Sequence, residues 1–134
     1  MNVSYRFGRP DEALAVVRKF QSSLIVQDNE WHVVGNLFNS DRLAWADEAV
    51  FLMNMDRAVV SLGLICKLCP CVVSYYSFPA HRGKGNGYAL LAACIDRICE
   101  TNAEAQIVIE PTCQTVDNHI GKLPGAIRRK LFIM

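Results

Sequence analysis

Alternation opens the chain. Between Asn2 and Gly8, the apolar residues Val3, Tyr5 and Phe7 alternate with polar ones, which predicts a strand. Arg9-Pro10-Asp11-Glu12 sets a proline and two acids where a helix start takes them. Ala13, Leu14, Val17, Phe20 and Leu24 then recur at helical spacing, so a first helix is expected over about residues 11–23. Residues 25–49 are less regular. Val33, Val34, Leu37 and Phe38 suggest a helical turn or two before Asn39-Ser40, and Asp41 to Glu48 reads as a short helix or a loop. Three β-rich runs follow: Val50–Met55, Ala58–Leu68 and Cys71–Phe78. Asp56-Arg57 and Leu68-Cys69-Pro70-Cys71 are the turns between them, with Pro70 unable to donate a ladder bond. A helix over Tyr88–Glu100 puts Leu91, Cys94, Ile95 and Ile98 on one face, and Ala105–Glu110 is a short strand stopped by Pro111. Strand, loop, helix, strand implies that this last strand runs parallel to the one before the helix. The expected fold is α/β (α+β): one domain over residues 1–134, with a mixed sheet.

Composition narrows the partners. The chain has 134 residues, 51% of them hydrophobic, and a net charge of +1, which suits one domain with a real core and gives no broad field for nucleic acid. Arg128-Arg129-Lys130 reads as a solvated helix face. No apolar run reaches the roughly 18 residues of a membrane span. Asp11, Glu12, Arg18 and Lys19 interrupt any signal-like core in the first 20 residues. A cytoplasmic protein with reduced thiols is therefore expected. Of its six cysteines, Cys94 and Cys99 belong to an apolar helix. Cys66, Cys69 and Cys71 form a C-x-x-C-x-C run, but a structural zinc site needs four ligands, and Cys113 and His119 are not spaced to complete one. The expectation is thiols flanking a hairpin turn, and no metal. A Cys113–His119 nucleophile pair is the other use of these residues, although sequence spacing does not define such a pair.

The chemistry concentrates in Ser77-Phe78-Pro79-Ala80-His81-Arg82-Gly83-Lys84-Gly85-Asn86-Gly87-Tyr88. A β-rich run ends at a proline, a basic glycine-dense loop follows, and a helix starts at once. Backbone N–H groups of such a loop, the helix N-terminus and the charges of Arg82 and Lys84 suit an anion. The loop is neither GxxxxGK[ST] nor GxGxxG. Its R-G-K-G-N-G, preceded by Phe78-Pro79-Ala80-His81 and followed by Tyr88-Ala89-Leu90-Leu91, resembles the acyl-CoA-binding loop of the GNAT superfamily of N-acetyltransferases.

That resemblance implies an antiparallel meander followed by a β-loop-α-β unit whose two parallel strands splay, with the pantetheine arm between them. It implies acetyl-CoA as co-substrate, held through Ser77, Phe78, Arg82, Gly83, Lys84, Gly85, Asn86, Gly87 and Tyr88. Amides from Lys84 to Tyr88 would cradle the pyrophosphate, Arg82 would face it, and the Ser77 and Phe78 backbones would meet the pantetheine. Asn118 stands where GNAT chains often carry an asparagine before the last helix. The acceptor would be an amine of a small molecule or a protein, with Trp31, His32, Trp45, Asp47 and Glu48 on its side of the site, although the two tryptophans also suit hydrophobic capping of the core. Acetyl transfer needs a neutral amine and a proton for the leaving thiolate. Glu110, or else Glu48, could be the base. Tyr75 or Tyr76 could be the acid, since neighbours on a strand face opposite ways; Tyr76 is preferred. The family's last helix usually supplies that acid from a tyrosine, but no tyrosine follows Tyr88, Leu123-Pro124-Gly125 breaks the helix, and the final strands are missing or reduced to Leu131–Met134. The alternative is thus a non-catalytic GNAT-fold binding or structural protein, for example a phage virion or host-interaction component. An exposed sheet edge would suit a homodimer or a partner protein. No membrane contact is expected.

Overall fold

The computed structural model describes residues 3–19, 40–67, 71–78, 81, 84–110 and 116–133. Phe20, Leu24, Trp31, His32, Pro70, Arg82, Gly83 and Cys113, named above, lie outside the described residues.

Six strands form one sheet in the order of the sequence: β1 (Ser4–Gly8), β2 (Glu48–Met53), β3 (Val59–Cys66), β4 (Cys71–Ser77), β5 (Ile107–Ile109) and β6 (Leu131–Ile133). The pairs from β1 to β4 are antiparallel, and β4–β5 and β5–β6 are parallel. The meander and the parallel return through a helix stand as expected. Helices α1 (Pro10–Lys19) and α2 (Ser40–Trp45) follow β1 in the chain; α3 (Asn86–Thr101) joins β4 to β5; α4 (Val116–Gly121) and α5 (Gly125–Arg128) lead to β6. Pro124 does break the tail into two short helices, and Leu131–Ile133 survives as a strand.

Side-chain alternation sorts the core onto two faces. On one, Cys71, Val73 and Tyr75 of β4 and Ile107 and Ile109 of β5 pack against Leu90, Leu91, Cys94, Ile95 and Ile98 of α3. On the other, Ala49, Phe51, Leu62, Tyr76 and Phe78 pack against Ala13 and Val17 of α1. Gly63 sits tightly between β4 and α3, since a Cβ there would lie 3.0 Å from the Ser74 carbonyl oxygen and 3.4 Å from the Cys94 Sγ. Burial pushes the Cys94 thiol up to about 12, as fits a packing residue. Asn54 makes the β2–β3 turn by accepting the N–H groups of Asp56 and Ala58, each at 3.0 Å, and Arg57 takes a positive φ of 62°.

One polar cluster ties α3 to the sheet. Glu48 accepts two hydrogen bonds from Arg97 Nε (3.0 and 3.1 Å) and one from Arg97 Nη2 (2.7 Å), and Lys67 Nζ lies 2.9 Å from the same carboxylate. The Arg97 guanidinium also sits 4.3 Å above the Phe7 ring. Among the described residues, no helix is long and apolar enough to cross a membrane.

Candidate functional site

The site begins where two parallel strands part. The β4–β5 ladder ends at the rung Val73–Ile109, closed by Glu110 N–H donating to the Val73 carbonyl at 3.0 Å. β4 runs on to Ser77 while β5 stops. Peptide groups of a strand point alternately to its two neighbours, so those of Tyr75 and Ser77 face the side that β5 has left. Ser77 is the last residue of β4. Phe78 corrects the expectation. Its N–H donates to the Val60 carbonyl of β3 at 3.0 Å and its carbonyl accepts from His81 N–H at 2.9 Å, so its backbone donor is committed inside the fold.

The loop then turns into α3. Asn86 Nδ2 donates to the His81 carbonyl at 3.0 Å and closes the turn from within, its side chain buried. Gly85 caps the helix at φ 80° and ψ 6°, a left-handed conformation that glycine takes freely. The first intrahelical bond runs from Ala89 N–H to the Gly85 carbonyl at 3.1 Å. The N–H groups of Asn86, Gly87 and Tyr88 thus precede the helical ladder at the positive end of a 16-residue helix, with Lys84 exposed beside them. This is a set of donors that fits a phosphate.

Two groups of polar side chains flank the parting strands, one on each face. Ser74, Tyr76 and Glu110 lie on the α1 face. Ser74 Oγ donates to Glu110 Oε1, both residues are buried, and Tyr76 packs edge-on to Phe78 with ring centroids 5.5 Å apart. Tyr75 lies on the α3 face, where its hydroxyl meets His119 Nδ1 of α4 at 2.9 Å. His119 also packs on the start of α3, since a Cβ on Gly87 would fall 2.7 Å from the His119 Cε1. A side chain at position 87 would thus displace the imidazole. Burial, and then the charge of Lys122, lower the His119 pKa and so favour the neutral ring. The Tyr75–His119 contact joins residues 44 apart and has no signal in the sequence.

The remaining candidates sort as follows. Asn118 falls in α4, one residue before His119. Glu48 is removed as a base: the Arg97 hydrogen bonds, with those of Lys67, hold its carboxyl down to about 2 against an ordinary 4.5. Asp47 accepts the Lys67 N–H at 2.5 Å, and Trp45, rather than capping the core, is 69% exposed. Cys66 and Cys71 do flank the β3–β4 turn. Among the described residues no cluster of three His, Cys, Asp or Glu could hold a metal. Arg128 and Arg129 are exposed, and Lys130 Nζ donates to the Ala103 carbonyl.

No model of a protein family matches the chain, and no curated protein matches it in sequence. Solved structures match in shape. A ribosomal-protein-alanine N-acetyltransferase from Brucella melitensis biovar Abortus 2308 is 16% identical with a TM-score of 0.56, over 90% of this chain and 88% of that one. A protein from Pyrococcus furiosus assigned as an acetyl transferase is 16% identical with a TM-score of 0.59, over 89% and 91%. A GNAT-family acetyltransferase from Streptococcus pneumoniae TIGR4 is 17% identical with a TM-score of 0.52, over 89% and 81%. At such identities the likeness speaks for the fold.

Proposed function

We propose, from the GNAT fold that this chain carries, that it is an acyl-CoA-dependent N-acetyltransferase moving acetyl from acetyl-CoA to an amine of a small molecule or a protein. The observation that carries the reading is the coincidence of two features. β4 outruns β5 past the rung Val73–Ile109, and the next element is a helix whose N-terminal donors follow a left-handed glycine. The residues fit the co-substrate. The amides of Asn86, Gly87 and Tyr88, with Lys84 beside them and Arg82 and Gly83 in the same loop, would bind the diphosphate. The peptide of Ser77 would meet the pantetheine amides. Asn118 would be a further contact.

Transfer needs the amine neutral and the thioester held beside it. Glu110 sits at the end of β5 on the face of Tyr76, and its carboxylate would take the proton that the amine sheds on attack. Tyr76 would wall the acceptor side.

A second reading is a GNAT-fold protein that binds without transferring, and it rests on the lack of any tyrosine after Tyr88. Two measurements separate the readings. Calorimetry with acetyl-CoA is expected to show binding, and thiol release across a panel of amines is expected to show turnover. Glu110→Gln should then lower kcat about 100-fold with acetyl-CoA binding retained. Binding with no release would favour the second reading, and no binding at millimolar acetyl-CoA would overturn both.

A further inference from the structure

We propose that Ser74 is a positioning residue for the base: its hydroxyl holds the nearly buried Glu110 carboxylate ionised at the point where β4 and β5 part. The inference rests on the acetyltransferase reading and deepens it. The β4–β5 ladder pairs Cys71 with Ile107, Val72 with Val108 and Val73 with Ile109. Ser74 and Glu110 come next on their strands, in the same register, and are joined through their side chains: Ser74 Oγ donates to Glu110 Oε1. That bond therefore spans the two strands at the foot of the gap, where a thioester held between them would meet it. The Glu110 N–H, donating to the Val73 carbonyl at 3.0 Å, fixes the backbone beneath it.

Burial by itself works against a base here. Ser74 is 4% and Glu110 6% exposed. The α1 face around them is apolar: α1 gives Ala13 and Val17, and β3 gives Leu62 and Leu64, with Leu64 opposite Ser74 in the sheet. β6 brings Phe132 to the same face, opposite Val108. Among the described residues of that cluster, the titratable side chain is Tyr76. A carboxyl desolvated in such a surround prefers its neutral form, which takes no proton from an amine. A hydroxyl that donates to the carboxylate favours the charged form and opposes burial. A serine at this inward position buries a hydroxyl at a cost, and its use is the carboxylate it bonds.

The step balances as follows. The amine nitrogen bonds to the thioester carbonyl carbon, and its proton passes to Glu110. The C–S bond then breaks, sulfur keeps the electron pair, and the thiolate takes a proton from water. Glu110 returns its proton to the solvent. Ser74 exchanges no proton with the substrate and acts only through Glu110.

The test uses the full chain with acetyl-CoA and whichever amine gives thiol release, and reads kcat against pH. The limb that belongs to the base is the acid limb that Glu110→Gln removes. Ser74→Ala is expected to move that limb up by about one pH unit. Its kcat then falls about tenfold on the limb and returns to the wild-type plateau above it, while the calorimetric Kd for acetyl-CoA stays within about twofold. Ser74→Thr keeps the hydroxyl and should keep the limb in place. Ser74→Cys, with a weak S–H donor, should move it part of the way, and it is read in the same manner if Ser74→Ala does not fold. In a Glu110→Gln background, Ser74→Ala should leave kcat unchanged within about twofold, because the two residues act as one unit. A rate loss equal at every pH, or a limb that stays in place, overturns the inference and leaves the acetyltransferase reading standing. If Glu110→Gln keeps its rate, the inference falls with the choice of base, and acyl transfer stands. If the wild type fails to bind acetyl-CoA, or binds it with no amine releasing thiol, the transfer reading and this inference fall together.

Discussion

Glu48 is where structure and catalysis can be told apart by one substitution. Its carboxylate accepts a fork of bonds from Arg97 and an ion pair from Lys67, and its side chain is 16% exposed. Those partners lower its pKa from an ordinary 4.5 to about 2. At about 1.4 kcal/mol per pH unit, that preference for the charged form is worth roughly 3 kcal/mol to the fold. Half-exposed partners and solvent screening reduce it, and about 2 kcal/mol is the expected cost of Glu48→Gln at pH 7. The sign follows from the direction. A carboxyl with a lowered folded pKa contributes fully above its unfolded value, near pH 4.5, and that contribution fades as the pH falls towards 2. Wild type and Glu48→Gln should therefore differ by a constant amount from pH 5 to 7 and converge below pH 4.5, as measured by urea unfolding at each pH. At pH 7 the variant should melt about 6–10 °C lower. Below its melting range it should keep kcat for thiol release within about twofold, because a carboxylate held this low cannot act as a base near neutrality. Equal stability of the two proteins across the pH series would refute the clamp. A large loss of kcat in a folded Glu48→Gln would refute its structural role.

Gly85→Ala puts a Cβ at φ 80°, which should cost about 1 kcal/mol in urea unfolding and weaken acetyl-CoA binding about tenfold by calorimetry; unchanged affinity would mean that the start of α3 does not face the ligand. Gly87→Ala should cost about 1–2 kcal/mol, because its Cβ meets the His119 ring at 2.7 Å, and pairing it with His119→Ala should recover most of the loss; additive losses would count against the contact. Arg57→Gly should raise stability by about 0.5 kcal/mol by releasing a left-handed residue at φ 62°, with thiol release unchanged.

What the sequence disclosed and what it withheld divide along a physical line. Local periodicity carried the meander, α3 and the parallel return of β5, because each of those is specified by residues within a few positions of one another. The start of α3 was legible for the same reason: Gly85, Asn86 and the proline-ended run before them are neighbours in the chain. Contacts between distant residues were not legible. Glu48 looked like a spare acid beside Asp47 because Arg97, which neutralises it, arrives from a helix 49 residues later. Trp45 looked like a cap for the core, yet it stands 69% exposed at the end of a six-residue helix. The parity of β4 is the sharpest case. Alternation states that Tyr75 and Tyr76 face opposite ways, but it does not say which of them shares a face with α3. Packing decides that: Val73 and Tyr75 join Ile107 and Ile109 under α3, which sends Tyr76 and Glu110 to the face of α1. One position of slip in β4 would exchange the two tyrosines and set Tyr76 against His119. The rung Val73–Ile109 therefore fixes more than the end of a ladder; it determines which phenol meets the imidazole and which carboxylate is left to the acceptor side.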